Sequence, residues 1–364
     1  MSQRKEASSP WAVRIATVAG IPIRLHFTFL LLLLWLAFVA SNNPQVAKLA
    51  LIIVSIFICV VLHELGHSLT AKSYGLKIRE IVLYPIGGVA MLLGRPKPLQ
   101  EFWIALAGPA VNLVISGVIA GVFLILYQQL PTFMWNFQKV SYWEGLYTAN
   151  IVLLLFNMIP AFPMDGGRVL RSLLAMRMSE ERATQIAGTI GQALAIGFGI
   201  FAIFSNHFIL LIIAFFVFMG ASQETAMTRT FSLISGKKIL DAMIKDFKTI
   251  EHSATLDVAS QMLLEGSQQD FPVVFGDEVL GLLKRENIVM GLSNEGAQSY
   301  VSGYMTRDYS KMSPYEPLEK VMEKYAEGDR SPILVFDENN KLVGMVTIEN
   351  MGELMMLEQA RKRP

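Results

Sequence analysis

Cysteine is all but missing from this chain, with Cys59 alone among 364 residues. A single thiol excludes an internal disulfide and a cysteine-built zinc cluster. Its place in an apolar run reads as a small buried hydrophobe. Charge is scarce as well: Asp, Glu, Lys and Arg make up 17% of the residues, where an ordinary soluble domain carries about 25%. With 53% hydrophobic residues and a mean hydropathy of +0.44, the shortfall points to a membrane protein whose principal surroundings are a lipid bilayer. The formal net charge of +1 gives no ground for a nucleic-acid partner. Histidine is sparse too, at five residues, yet two stand four apart in the greasy stretch "VVLHELGHSLTAKSYG", 60–75.

What the chain has in quantity is long runs free of Asp, Glu, Lys and Arg. Residues 25–47, 49–63, 102–138 and 145–164 each suit one membrane span. The run 183–223 suits two, with "SNH" at 205–207 as the turn, so about six helices are expected. The run 25–47 exceeds the h-region of a signal peptide, about 7–15 residues, and reads as a retained helix. Orientation follows from the basic residues. One set of connecting segments holds Arg4, Lys5, Arg14, Arg24, Lys72, Lys77, Arg79, Arg95, Lys97, Arg168, Arg171, Arg177 and Arg182. The opposite set holds only Lys48 and Lys139, so both termini of a multi-pass cell-membrane protein are expected in the cytoplasm.

From about residue 237 the chain turns charged, and short β-branched runs alternate with amphipathic helical patterns. "DAMIKDFKTI" (241–250) answers to "SGYMTRDYSKM" (302–312), and "VLGLLKREN" (279–287) to "LVGMVTIEN" (342–350), a period of roughly 60 residues. The expected organisation is a membrane domain over 1–228, a linker over 229–237, and α/β units over 238–292 and 300–356.

Positions i and i+4 share a helix face, so His63 and His67 stack on one side. This H-E-x-x-H pattern lets both imidazoles reach one zinc, with Glu64 acting on its water. The competing reading is a helix end that merely reaches the headgroups. Depth argues against it: His63 lies roughly 13 Å further in than Lys72, the first charge beyond the motif, where ionisable groups are costly unless they bind something or line water. Hydrolytic zinc needs a third protein ligand and an open position. "NMIPAFPMDGGR" (157–168) closes the fourth run and brings Asp165 to the same depth. Pro160 and Pro163 break the helix there, which is tolerated where backbone lines a cavity or is covered by protein. Glu101 and Glu80 are alternatives outside any broken span, and Asp165 would otherwise cap a helix beginning at Gly167. "KIREIVLYPIGGVAML" (77–92) is β-rich with a Pro/Gly turn, and reads as a re-entrant hairpin or a plain cytoplasmic loop.

"HELGH", "GPAVN" (108–112), "NMIPAFPMDGG", "GIPIRLHFTFLLLL" (20–34) and the "GG" at 87–88 together resemble the site-2 protease family of zinc intramembrane metalloproteases, from residue 12 to about 225. The resemblance implies one Zn2+ per chain held by His63, His67 and Asp165, with Glu64 as the catalytic base. It implies a transmembrane protein substrate, cut near the cytoplasmic side and paired in extended form on the hairpin. Met164 stands where the family usually has leucine. Asn112, Asn157, Gly87 and Gly88 are candidates for binding substrate backbone or supporting the oxyanion; as packing groups the asparagines would look the same.

The tandem units resemble a pair of cystathionine β-synthase (CBS) domains. That resemblance implies an adenine nucleotide (ATP, ADP or AMP) between them and a homodimer. The ribose pattern is partly altered: "GMVTIEN" keeps Thr347 but has Asn350 in the acidic place, and "GLLKREN" has Lys284 where a hydroxyl is expected. A purely structural role for the pair is the alternative. The expected fold is thus an all-α polytopic membrane domain with a probable hairpin, followed by a soluble α/β tandem CBS domain. A CBS-gated transporter or channel is the rival class, and it would scatter polar residues over several helices near the midplane.

Overall fold

Two alternating stretches precede the first apolar helix. Ala12–Val18 (β1) and Ile21–His26 (β2) pair antiparallel around Ala19 and Gly20. Both turn residues have positive φ, 50° and 80°, the sign that two-residue hairpin turns need. The computed structural model describes residues 11–41, 44–85, 87–133, 141–326 and 328–361. Arg4, Lys5, Lys139 and the end of the third apolar run lie outside them.

The chain then runs through helices Phe27–Ser41 (α1) and Pro44–Ser73 (α2), and strands Lys77–Tyr84 (β3) and Gly87–Leu93 (β4). The hairpin expected at 77–92 is present, but it does not stand alone. It joins β1 and β2 in a four-stranded sheet of order β1-β2-β3-β4, with β2 and β3 parallel. The first domain is helical with a hairpin, as expected, and β1 and β2 extend that hairpin into a sheet. Period-2 burial drives this: Ile21, Ile23 and Leu25 of β2 turn inward, and Ile21, Ile23 and Ile81 pack on Leu65 of α2.

Helices Pro98–Tyr127 (α3), Tyr142–Asn157 (α4), Asp165–Ala175 (α5), Glu180–Phe204 (α6) and Phe208–Ile234 (α7) follow. Among the described residues four helices are long and apolar enough to cross a membrane: α2, α3, α6 and α7. The turn between the last two falls at 205–207, as read from the sequence. The expected first and fourth spans are shorter, at 15 and 16 residues. Residues 25 and 26 belong to β2, and α4 stops at Asn157 because Pro160 and Pro163 cannot continue it. Outward-facing Ile125, Phe204 and Ile209 are strongly exposed, as lipid-facing positions are. Residues 229–234 of the expected linker are the last turns of α7.

The second compact unit begins at Thr230. Strands Ile250–Glu251 (β5), Phe271–Phe275 (β6) and Glu278–Leu283 (β7) form one sheet, with helices Leu256–Glu265 (α8) and Arg285–Asn294 (α9). Ser310–Met312 (β8), Ile333–Phe336 (β9) and Leu342–Val346 (β10) form its counterpart, with helices Glu319–Ala326 (α10) and Ile348–Arg361 (α11). Each sheet has one parallel and one antiparallel pairing in the same order, so the repeat is structural. Its boundaries are exchanged, however. Ile234 and Ile239 pack into the core of the second unit, and Val301 into that of the first. Backbone bridges Ile244–Met345 and Leu282–Thr306 seal the exchange.

One buried ionic cluster ties α3, α5 and α7. Arg171 donates to both oxygens of Glu101 and, at 2.5 Å, to Glu224. Glu101 and Arg171 are only 5% and 8% exposed. Removing Glu101 takes two hydrogen bonds from a guanidinium that is 8% exposed and leaves Glu224 as its remaining partner. Glu101→Ala is accordingly expected to destabilise the membrane unit by about 1.5–3 kcal/mol, read as a lowered thermal transition of the detergent-solubilised protein; an unchanged transition would contradict this.

Candidate metal centre

Helix α2 carries His63 and His67 on the face turned to α3. The two helices approach so closely that a Cβ on Gly66 would lie 2.8 Å from the Ala107 carbonyl oxygen. Asp165 opens α5 after the broken stretch 158–164, whose tight path is fixed by glycine. A Cβ on Gly166 would stand 2.3 Å from Ile159 O, and one on Gly167 2.5 Å from Ala161 C. Asp165 lies in the first turn of α5 but caps nothing: the N-cap is Met164, with no side-chain cap bond.

These elements bring three donor atoms to one point. His63 Nε2 and His67 Nε2 are 3.0 Å apart, and each lies 3.1 Å from Asp165 Oδ2. All three residues are buried, and among the described residues they form a group whose donor atoms could hold a metal ion. Zinc bonds to nitrogen and oxygen at about 2.0–2.2 Å place neighbouring ligands of a tetrahedron a little over 3 Å apart. The observed spacings fit one such ion, with two neutral imidazoles and one carboxylate as a hydrolytic donor set.

The outer atoms of the ligands are held as well. His67 Nδ1 lies 2.6 Å from the Ile104 carbonyl oxygen, which only accepts. Nδ1 must therefore carry the proton, leaving Nε2 with its lone pair toward the cluster. His63 Nδ1 meets Asn112 Oδ1 at 2.5 Å. Asp165 Oδ1 faces Arg168 Nη1 at 3.6 Å, so the second carboxylate oxygen is turned away from the imidazoles. Glu64 sits between the histidines in sequence and directly under Gly88, where a Cβ would come within 2.6 Å of Glu64 Cγ.

The other residues singled out from sequence fall as follows. Asn112 is fully buried, with its amide oxygen against His63 Nδ1. Asn157 ends α4, half-buried. Gly87 and Gly88 begin β4. Glu101 and Glu80, the alternative ligands, are engaged elsewhere, Glu101 with Arg171 and Glu80 with Arg24 at 2.6 Å. A cleft of about 350 Å³ is bordered by Ala90 and Leu92 of β4, by Phe162 and Arg168, and by the charged cluster of Glu101, Arg171 and Glu224. In the second unit Thr347 Oγ1 donates to Asn350 Oδ1 at 2.7 Å. Lys284 lies 3.9 Å from Glu286. Burial pushes the Asp270 carboxyl above its ordinary range, against the pull of the Arg285 backbone N–H and the Lys284 charge.

Comparison with known proteins accords with this geometry. Residues 51–135 and 128–198 match peptidase family M50, and 301–353 match the CBS domain. A zinc metalloprotease of Methanocaldococcus jannaschii is 33% identical over 352 residues, spanning 97% of this chain and 98% of its own. The chain belongs to the site-2 protease family. It is a multi-pass membrane zinc metalloprotease with a C-terminal CBS region. The protease is also 27% identical over 371 residues to Rip3 of Mycobacterium tuberculosis, spanning 94% of this chain and 93% of Rip3. It resembles the solved site-2 protease from Methanocaldococcus jannaschii at 40% identity, covering 59% of this chain and 95% of that one, with a TM-score of 0.45.

Gly108 is the site residue that sequence reasoning missed. A Cβ there would lie 2.2 Å from His67 Nε2 and 2.6 Å from His63 Nε2, in the space the ligand atoms converge on. Its signal was the glycine of "GPAVN" facing "HELGH" across two helices. Gly108→Ala is expected to lower zinc affinity of the protease by at least about 10–100-fold, the scale of a disturbed ligand shell, measured by chelator competition; wild-type affinity would contradict the placement.

Proposed function

We propose that this protease is an intramembrane endopeptidase that cuts transmembrane protein substrates near the cytoplasmic side of the bilayer, in regulated intramembrane proteolysis. The observation that carries the reading is the buried His63–His67–Asp165 cluster, built on an apolar helix pair with Glu64 beside it. His63, His67 and Asp165 hold the zinc. When bound, zinc supplies a Lewis acid that acidifies water and polarises the scissile carbonyl. Glu64 takes the proton from the attacking water and returns it to the amine nitrogen as the C–N bond breaks. Asn157 takes the oxyanion-supporting role that the family implies, while Asn112 serves by holding His63.

A helical substrate hides its peptide bonds in its own hydrogen bonds, so it must be drawn out before cutting. Strand β4 ends the sheet, and no strand pairs with its outer edge among the described residues. An extended substrate adds to that edge, passing Gly87 and Gly88, and its alternate side chains enter the cleft with Ala90 and Leu92. The positive-inside count puts both termini, and this cleft, on the cytoplasmic side. The CBS pair serves as a dimerising, adenine-nucleotide-sensing module, with Thr347 and Asn350 at the ribose and Lys284 offered to a phosphate in competition with Asp270.

Glu64→Gln is expected to retain zinc yet lower cleavage of a co-expressed single-span substrate by about 10²–10⁴-fold, the usual worth of a positioned base. His63→Ala with His67→Ala should lose both metal and cleavage; equal cleavage by all forms would sink the assignment. Titration of the whole protein with ATP, ADP or AMP should release or absorb heat, and its absence for all three would end the nucleotide reading.

A further inference from the structure

A buried hydrogen-bonded chain leads away from His63, and its direction is set by its far end. Asn150 on α4 places Nδ2 2.9 Å from the Leu146 carbonyl oxygen and 3.4 Å from Cys59 Sγ. The Leu146 carbonyl can only accept, so the atom facing it must be the Asn150 amide nitrogen. The Asn150 amide oxygen is then turned outward, where it lies 2.8 Å from Asn112 Nδ2. Asn112 must donate to it, which turns its own oxygen toward His63 Nδ1 at 2.5 Å. An oxygen accepts, so Nδ1 must carry the imidazole proton, and Nε2 is left with its lone pair aimed at His67 Nε2 and Asp165 Oδ2.

We infer that Asn150 is a positioning residue for the zinc centre: through Asn112 it fixes which nitrogen of His63 carries the proton. Both asparagines have no exposed surface, so water cannot substitute for a missing partner. Among the described residues, Asn150 is the partner that dictates which end of the Asn112 carboxamide meets His63. An inverted Asn112 presents N–H groups to Nδ1, which then accepts and moves the proton to Nε2, the atom that must ligate. His67 needs no such relay, because a backbone carbonyl meets its Nδ1 directly. The asymmetry explains why two polar side chains lie in series on α3 and α4 behind one histidine only.

The inference rests on the reading of His63 as a zinc ligand, and the test separates the two. Zinc affinity of the full-length, detergent-purified protein is measured by competition with a chelating dye, for the wild type and for His63→Ala, Asn112→Leu, Asn150→Leu, Asn112→Leu with Asn150→Leu, and Asn150→Asp. Asn150→Leu is expected to weaken zinc binding by about 10–100-fold, the range found for outer-shell partners. The double variant should bind no more weakly than Asn112→Leu alone, because Asn150 acts only through Asn112. Asn150→Asp keeps an acceptor toward Asn112 and should hold zinc nearly as tightly as the wild type, whether or not the leucine variant folds well. Losses that multiply in the double variant would mean independent packing effects and would overturn the relay, as would full affinity in Asn150→Leu. Affinity unmoved by His63→Ala would overturn the ligand assignment itself.

Discussion

The structure turns on the close approach of α2 and α3. Three donor atoms can meet within about 3 Å among apolar helices only if the opposing backbone gives way. Gly66 and Gly108 supply that space on the two sides of the crossing. With any side chain at either position the helices part and the histidines lose the wall they press against. Everything polar at this depth is then arranged around that contact: His67 on the Ile104 carbonyl, His63 on Asn112, Asp165 delivered by a glycine-lined break. A group buried in a bilayer without such partners costs several kcal/mol, so the polar shell is as much a condition of folding as of chemistry.

The four-stranded sheet is joined to this centre through the same helix. Its inward face rests on Leu65, between the two histidines, and its last strand passes over Glu64 at Gly88. Under the proposed function, substrate binding and proton transfer are coupled by this contact, since the strand an extended peptide would pair with is the one packed on Glu64. The Glu101–Arg171–Glu224 cluster secures α5 from the other side, which keeps Asp165 in register with α2.

Much of this was legible before any coordinates. The i, i+4 histidines declare a shared face, and the depth of Asp165 follows from counting spans and noting where proline breaks one. The turn at 205–207 and the repeat after residue 237 came from charge and pattern alone. Strands β1 and β2 did not, because 25–26 carry no charge and merged with the following apolar run; the alternation in "IPIRLH" around "AG" was their signal. The role of Gly108 depends on what lies opposite it across a helix crossing, which no local pattern encodes. Asn150 was a lone amide in an apolar run, conspicuous only once its neighbours on α2 and α3 were known. The exchanged segments of the CBS pair were hidden for the same reason: Val301 and Ile239 are ordinary buried residues, and sequence does not say which core receives them.

The central claim is that two imidazoles and one carboxylate hold a single zinc inside the helix bundle. Zinc-edge X-ray absorption of the purified protein tests it most directly. The account predicts one zinc per chain with two imidazole nitrogens at about 2.0–2.1 Å, oxygen in the remaining positions and no sulfur. A sulfur neighbour at about 2.3 Å, which would have to come from Cys59 or a foreign thiol, or fewer than two imidazoles, would contradict it.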